Sequence, residues 1–464
     1  MANKIRMVWT AAALVPLALL AACGSSSGGT SPSSSAAPPA SASGKSITET
    51  GSTLLFPVFG AWQTAYSAAD PSVTITSGAT GSGTGITDAS QGLVNVGGSD
   101  AYLSSSDISQ YPGLLNIPLT VAAVDVNYYV TGVKKPLNLT GTVLAEIYTG
   151  KITKWNDPAI AKLNPGVTLP AETIVTLHRA DSSGSTFLFT SYMNAQDPSA
   201  WPSADVGTTI TWPSAPGALA ETGSGGMLAA CGATKGCISY LGISYLAKAT
   251  TAGLGTASLA NKAGKFQQPA PAAISAALAS FSTPPASGAE SLINTSAAKG
   301  YPIINYEYAI VKKTQPSAAE ASAVKAFLKW VVTTGDTATY LSAAGFEPLP
   351  ASTQAISETL INSISGLSDG SICTDRPAGR RGGHPAPPPA RRQAARQPPR
   401  RQRDPLAGPR RCGGTRPHAG IRPGHADRPG NPGDQVQRPA LLLGDHLELR
   451  LPVRKGGSLR RPHP

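Results

Sequence analysis

Ile174-Val175-Thr176-Leu177-His178-Arg179-Ala180-Asp181-Ser182-Ser183-Gly184-Ser185-Thr186 reads as a short β-branched strand running into a hydroxyl- and glycine-rich turn, followed by a helix over Phe187 to Met193. Strand, tight turn and helix in that order form the basic unit of an α/β fold, whose ligands sit at the carboxyl ends of strands beside helix N-termini. The chemistry of the turn fits that placement. Arg179 is the only arginine between residue 7 and residue 375, in a stretch that otherwise uses lysine for its cations. A guanidinium is a planar, permanently charged fork that pairs bidentately with carboxylates and tetrahedral oxyanions, which an ammonium does not do. The turn therefore reads as an anion site, with Asp181 placed to orient the fork.

Working outward, strands are expected at residues 73–76, 94–96, 127–130 and 303–311, and helices at 59–69, 142–148, 272–281 and 318–333. The last helix carries an apolar stripe through Ala323, Ala326, Phe327, Trp330 and Val331, which reads as core. Alternation of this kind predicts an α/β class with mostly parallel sheets. Some 325 residues lie between 46 and 370, enough for a large core divided into two domains or lobes.

Three further segments share the chemistry of the Arg179 turn. They are Gly51-Ser52-Thr53-Leu54-Leu55-Phe56-Pro57, Gly78-Ala79-Thr80-Gly81-Ser82-Gly83-Thr84-Gly85 and Gly97-Gly98-Ser99-Asp100-Ala101. Each lies at a strand-to-helix transition. Free N–H groups and the positive end of the helix dipole take anions there without net positive charge, glycine lets the backbone approach, and hydroxyls add donors. Any one such turn is ordinarily just a helix cap; four of them, one holding the lone arginine, make a site. The sequence has no phosphate-loop or dinucleotide fingerprint and no Gly-x-Ser-x-Gly elbow. Nothing pairs a nucleophile with a base, so the chain reads as a binder rather than an enzyme, with no cofactor and no metal. His178, the sole histidine of this region, points away from the turn by strand alternation and reads as packed or solvated.

Composition divides the rest. Residues 1–22 carry Lys4 and Arg6 and then an apolar run from Ala11 to Leu20, too short to span a bilayer and followed by Ala21-Ala22-Cys23. This resembles a bacterial lipoprotein signal peptide, with Cys23 as the lipidated N-terminus after cleavage. Residues 23–45 form a flexible Gly/Ser/Ala/Pro linker. Residues 24–370 hold 16 Lys+Arg against 20 Asp+Glu, a net of −4, whereas 371–464 hold 20 against 6, a net of +14. With no aromatic residue, that segment reads as a disordered basic tail. Its sudden change from lysine to arginine is what an out-of-frame translation of GC-rich DNA gives; a basic arm for nucleic acid or anionic lipid is the other reading. Nucleic acid is not an expected partner of an exported body. Cys231 and Cys237, with five residues between them, read as a small-loop disulfide formed outside the cytosol.

Six motifs taken together carry a resemblance: Gly-Ser-Thr-Leu-Leu-Phe-Pro from 51, Thr-Gly-Ser-Gly-Thr-Gly from 80, Gly-Ser-Asp-Ala-Tyr-Leu-Ser from 98, Gly-Lys-Ile-Thr-Lys-Trp-Asn-Asp-Pro from 150, His-Arg-Ala-Asp-Ser-Ser-Gly-Ser-Thr-Phe from 178 and Gly-Tyr-Pro-Ile-Ile-Asn-Tyr-Glu-Tyr-Ala-Ile-Val from 300. In this order, across residues 46 to 365, they resemble the phosphate-binding lipoproteins of high-affinity phosphate ABC importers. The resemblance implies a two-lobed periplasmic-binding-protein fold, type II-like, with the ligand in the inter-lobe cleft. Lobe 1 is expected over 46–126 plus 305–370 and lobe 2 over 127–304, hinged near 126–130 and 300–306. It implies inorganic phosphate held by Thr53, the Leu54 N–H, Ser82, Asp100, Arg179, Ser183, Gly184 and Ser185, with Asp181 steadying Arg179. Ser185 stands where many relatives have threonine. The implied partners are a membrane ABC permease and the membrane itself through the lipid, for a monomer on the outer face of the cytoplasmic membrane. Asp100 gives selectivity a physical basis: phosphate keeps a proton to donate to a carboxylate and sulfate has none. The alternatives are a binder of another tetrahedral oxyanion and an extracellular phosphoryl-transfer enzyme.

Overall fold

The computed structural model describes residues 45–367. The signal peptide, Cys23, nearly all of the linker and the basic tail expected from the sequence lie outside the described residues. Twelve strands concern us: β1 (Lys45–Gly51), β2 (Val73–Thr76), β3 (Val96–Ser99), β4 (Leu114–Tyr128), β5 (Asn138–Leu139), β6 (Val175–Arg179), β7 (Leu219–Glu221), β8 (Cys237–Gly242), β9 (Gly255–Thr256), β10 (Ser258–Ala260), β11 (Phe266–Gln267) and β12 (Ile304–Lys312). One nine-stranded sheet runs β2-β1-β3-β12-β4-β8-β6-β7, with β9 pairing β4 off that path. A small second sheet runs β11-β10-β5.

The class is α/β, as the alternation predicts, but the main sheet is mixed rather than mostly parallel. Its flanks are parallel, β1 with β2 and β3 on one side and β6 with β7 and β8 on the other. Its centre is antiparallel, because β12 pairs antiparallel with β3 and β4, and β4 with β8. The strands that decide this are buried nearly end to end, so their hydrophobic pattern carries no periodicity from which pairing direction follows. β4 also extends well before the strand expected at 127–130. It pairs with β12 over Leu114–Ala123 and with β8 over Val124–Tyr128, so one 15-residue strand serves both halves of the sheet.

Helices cover both flanks. The helix Phe56–Ala69 buries Phe59, Trp62 and Tyr66, and the helix Ala318–Trp330 buries Phe327 against them, with the Phe59 and Phe327 rings 5.5 Å apart. Of the apolar stripe expected there, Ala323, Phe327 and Val331 are core, Trp330 is half-buried and Ala326 is exposed. Around Trp201, Trp212, Tyr148, Phe189 and Tyr240 a second aromatic cluster fills the other half, and His178 stacks on Trp212 at 4.9 Å. His178 is thus packed, as expected, and burial lowers its pKa.

Cys231 and Cys237 form a disulfide between the helix Gly223–Ala233 and β8, with Cα atoms 5.5 Å apart. On the chain-entropy model so short a loop is worth about 2–3 kcal/mol. Replacing both cysteines with serine is expected to lower the unfolding free energy by that order, which denaturant titration under oxidising conditions reads directly.

Several carboxyls are buried among uncharged groups. Glu49 is pushed up to about 8, Asp125 to about 7 and Asp336 to about 7, each chiefly by burial. Their folded pKa values lie above the unfolded ones, so the folded state holds more protons between roughly pH 4 and 8. Stability is then full at the acidic end of that window and is lost as pH rises through it, each group contributing on the order of a few kcal/mol. Thermal melting is expected to be higher at about pH 5 than at about pH 8 by several degrees, with Glu49→Gln shrinking the difference. A melting temperature that rises over this range contradicts the assignment.

Candidate anion-binding site

The carboxyl ends of β1, β2, β3, β6 and β7 meet at one place. Thr53 follows β1, Ser82 opens the helix Ser82–Gln91 after β2, and Asp100 follows β3. Arg179 ends β6, Ser183 caps the helix Gly184–Gln196, and Ser185 lies in its first turn. All six side chains are buried, and Arg179 is only 5% exposed. Four segments far apart in sequence are thereby joined by hydrogen bonds.

Two linked clusters make up the site. In the first, Arg179 Nε donates to Asp181 Oδ1 at 2.7 Å, Nη2 pairs with Oδ2, and Nη1 donates to Thr53 Oγ1 at 3.2 Å. Asp181 also accepts from the Gly223 N–H at 3.0 Å. Hydrogen bonds from Arg179 and Gly223 lower its pKa against the opposing effect of burial. Asp181 thus takes Nε and Nη2 of the fork and leaves Nη1 on the Thr53 side. In the second cluster, Asp100 is ringed by hydroxyls: Ser185 donates to Oδ2 at 2.8 Å, Ser82 to Oδ1 at 3.4 Å, and Ser52 closely to Oδ1. The Asp100 N–H donates back to Ser82 Oγ at 3.2 Å.

Gly184 lies where these groups close up. A Cβ there would stand 2.6 Å from both Asp100 Cβ and Ser82 Oγ, so only glycine lets the Gly184 helix approach β3 and the Ser82 helix. Gly81, with φ 97°, caps the Ser82 helix in a conformation that disfavours other residues. Ser183 Oγ accepts from the Thr186 N–H at 3.3 Å, so part of its hydrogen bonding goes to capping. The Leu54 N–H lies 3.1 Å from Ser52 Oγ while its side chain packs at Gly242.

Thr53, Leu54, Ser82, Asp100, Arg179, Ser183, Gly184 and Ser185, the residues expected to hold the ligand, are thus gathered at the carboxyl ends of these strands. Several others are there too. Ser224 shares a 2.7 Å hydrogen bond with Thr53 Oγ1 and stands at the start of the helix Gly223–Ala233. Its run Thr222-Gly223-Ser224-Gly225-Gly226 has the same strand-to-helix signature as the other four segments and was legible on those terms. Tyr240 Oη accepts from the Arg179 N–H at 3.0 Å and shares a 2.7 Å bond with Thr186. Ser52 Oγ donates to Asp100 and accepts from the Leu54 and Leu55 N–H groups.

The two carboxylates of the lining outnumber its one guanidinium. Arg179 is matched by Asp181, and the rest of the lining is hydroxyls, peptide N–H groups and one carboxylate. Such a site suits a small oxyanion that can donate one proton to Asp100 and accept from everything else. Among the described residues no group of three or more His, Cys, Asp or Glu side chains is arranged to hold a metal ion.

Comparison with known proteins points the same way. A family model described as a PBP superfamily domain matches residues 35–334. The phosphate-binding protein PstS of Methanocaldococcus jannaschii is 32% identical over 338 residues, covering 68% of this chain and 86% of the relative. Phosphate-binding protein PstS 3 of Mycobacterium leprae is 32% identical over 367 residues, covering 75% and 96%. Among solved structures, a high-affinity periplasmic phosphate-binding protein bound with phosphate superimposes with a TM-score of 0.56 at 23% identity, over 69% of this chain and 99% of the other. A phosphate-binding protein from Stenotrophomonas maltophilia gives 0.53 at 21% identity, over 68% and 93%. Both share this fold.

Proposed function

The chain belongs to the PBP superfamily, among its phosphate-binding proteins, and from that premise we propose that it captures inorganic phosphate outside the cytoplasm and delivers it to a membrane ABC permease. The observation that carries this reading is the meeting of Arg179, the hydroxyls of Thr53, Ser82, Ser183 and Ser185, and the Asp100 carboxylate at the ends of four strands. In the bound state Nη1 of Arg179, the Thr53 and Ser183 hydroxyls and the N–H groups of Leu54, Gly184 and Ser185 would donate to phosphate oxygens. Asp100 would accept the ligand's proton. Asp181 would keep the guanidinium plane in register.

The lobes are proposed as 46–126 with 305–370, and 127–304. β4, which changes partner from β12 to β8 between Ala123 and Val124, supports a crossing there. Groups from both proposed lobes grip the ligand, so binding is coupled to their closure. The protein acts as a monomeric receptor rather than a catalyst. Cys23 carries the lipid that anchors it to the outer face of the cytoplasmic membrane, and the linker up to residue 45 lets it reach the permease. Among the described residues no helix is long and apolar enough to cross a membrane.

Calorimetric titration of the mature protein with inorganic phosphate and, separately, sulfate tests the reading. One phosphate per chain and rejection of sulfate is the expected outcome; equal affinity for both, or no heat with phosphate, overturns it.

A further inference from the structure

Behind Asp100 lies a second carboxyl that the binding scheme leaves unused. Glu307, on β12, is completely buried. Its Oε1 accepts from Asn305 Nδ2 at 2.8 Å, and the same amide lies 3.3 Å from the Asp100 carbonyl oxygen. Its Oε2 is buried with no partner. β12 pairs antiparallel with β3, Tyr308 against Ser99, so Glu307 stands beside Asp100, whose Oδ1 accepts from Ser52.

Two ionised carboxylates on adjacent strands without a cation between them repel strongly at so dry a location, and an ionised Oε2 would also need a donor it lacks. A proton on Oε2 removes both difficulties, since the orphaned oxygen becomes a donor and Asp100 is the acceptor beside it. We propose that Glu307 is a positioning residue that acts through Asp100, donating a hydrogen bond from its protonated carboxyl that holds Asp100 as the proton acceptor for the ligand. Burial first, then the neighbouring Asp100 charge, raises the Glu307 pKa well above the usual carboxylate range.

The groups that face Glu307 allow no other source of compensation. From the β1 side stands Ser52, from the end of β3 Asp100, and from β12 itself Asn305. On β4 the residue opposite is Thr120, uncharged, with Asp336 beyond its hydroxyl. One strand further away, on β1, is Glu49, itself raised to about 8. Among these described neighbours none is a cation.

This inference rests on the phosphate reading for its consequence but not for its first test. In infrared spectra of the full chain, the C=O band of a protonated carboxyl should vanish in Glu307→Gln and shift in Asp100→Asn, where Glu307 is intact. No band lost in the first and no shift in the second overturns the proposal whether or not phosphate binds. The second test is calorimetric titration with inorganic phosphate across the alkaline range, where phosphate is already a dianion. Wild-type affinity should fall tenfold or more as Glu307 loses its proton, while Glu307→Gln, neutral at every pH, should hold its affinity. In an Asp100→Asn background the Gln change should have no further effect. Superimposable pH profiles of wild type and Glu307→Gln, or equal effects of the Gln change in both backgrounds, overturn the proposal. A wild type that binds no phosphate at any pH overturns the functional reading instead, and the infrared result then decides the role of Glu307.

Discussion

Replacing Arg179 with lysine is expected to weaken phosphate binding by an order of magnitude or more, the largest effect of any conservative change in the chain. The fork does two jobs at once: Nε and Nη2 lock onto Asp181, and Nη1 reaches Thr53 on the far side of the site. An ammonium is a single compact point and cannot hold the aspartate and face the ligand together. Lysine that keeps Asp181 leaves the anion short of a charge-assisted donor, whereas lysine that turns to the anion leaves a half-buried aspartate unpaired. A tenfold loss corresponds to about 1.4 kcal/mol, within the cost of one lost charge-assisted hydrogen bond. Calorimetry on Arg179→Lys reads it, with melting temperature as a check on folding. Unchanged affinity in a folded variant would remove Arg179 from the site.

The second large effect is on choice rather than strength. Asp100→Asn should narrow the phosphate-to-sulfate affinity ratio by roughly tenfold or more, because sulfate would no longer meet an unpaired carboxylate in a dry site. Ser52, Ser82 and Ser185 all point hydroxyls at this carboxylate. They can rotate to serve as acceptors for the new amide, so the variant keeps its local packing. Phosphate itself should bind more weakly, since its proton loses a charged acceptor. Competition titration with sulfate decides the matter: continued exclusion of sulfate by Asp100→Asn means that shape or the donor set, not this charge, selects the ligand.

Much of this site could be read along the chain because each part is local. A strand, a glycine, a hydroxyl and a helix start fall within about ten residues of one another, and peptide N–H groups at such a turn face the same way whatever else the chain does. That is why Thr53, Ser82, Asp100 and the Arg179–Ser185 turn stood out. Ser224 has the same local signature, after the three-residue β7. Glu307 was of another kind. In the sequence it is one acidic residue inside Asn305-Tyr306-Glu307-Tyr308, with nothing beside it to suggest a site. Its meaning comes from β12 lying next to β3, which sets it against Asp100 across more than 200 residues of chain.

The residue order alone determined the local elements, the lone arginine of this stretch and the anion-ready turns, because these depend on neighbours a few positions apart. The direction of the central strands, the sharing of β4 between two half-sheets and the placing of the buried Glu307 on the strand beside Asp100 were settled only in three dimensions. Strands buried on both faces look alike whichever way they run, and the protonation of a carboxyl follows from the company it keeps after folding.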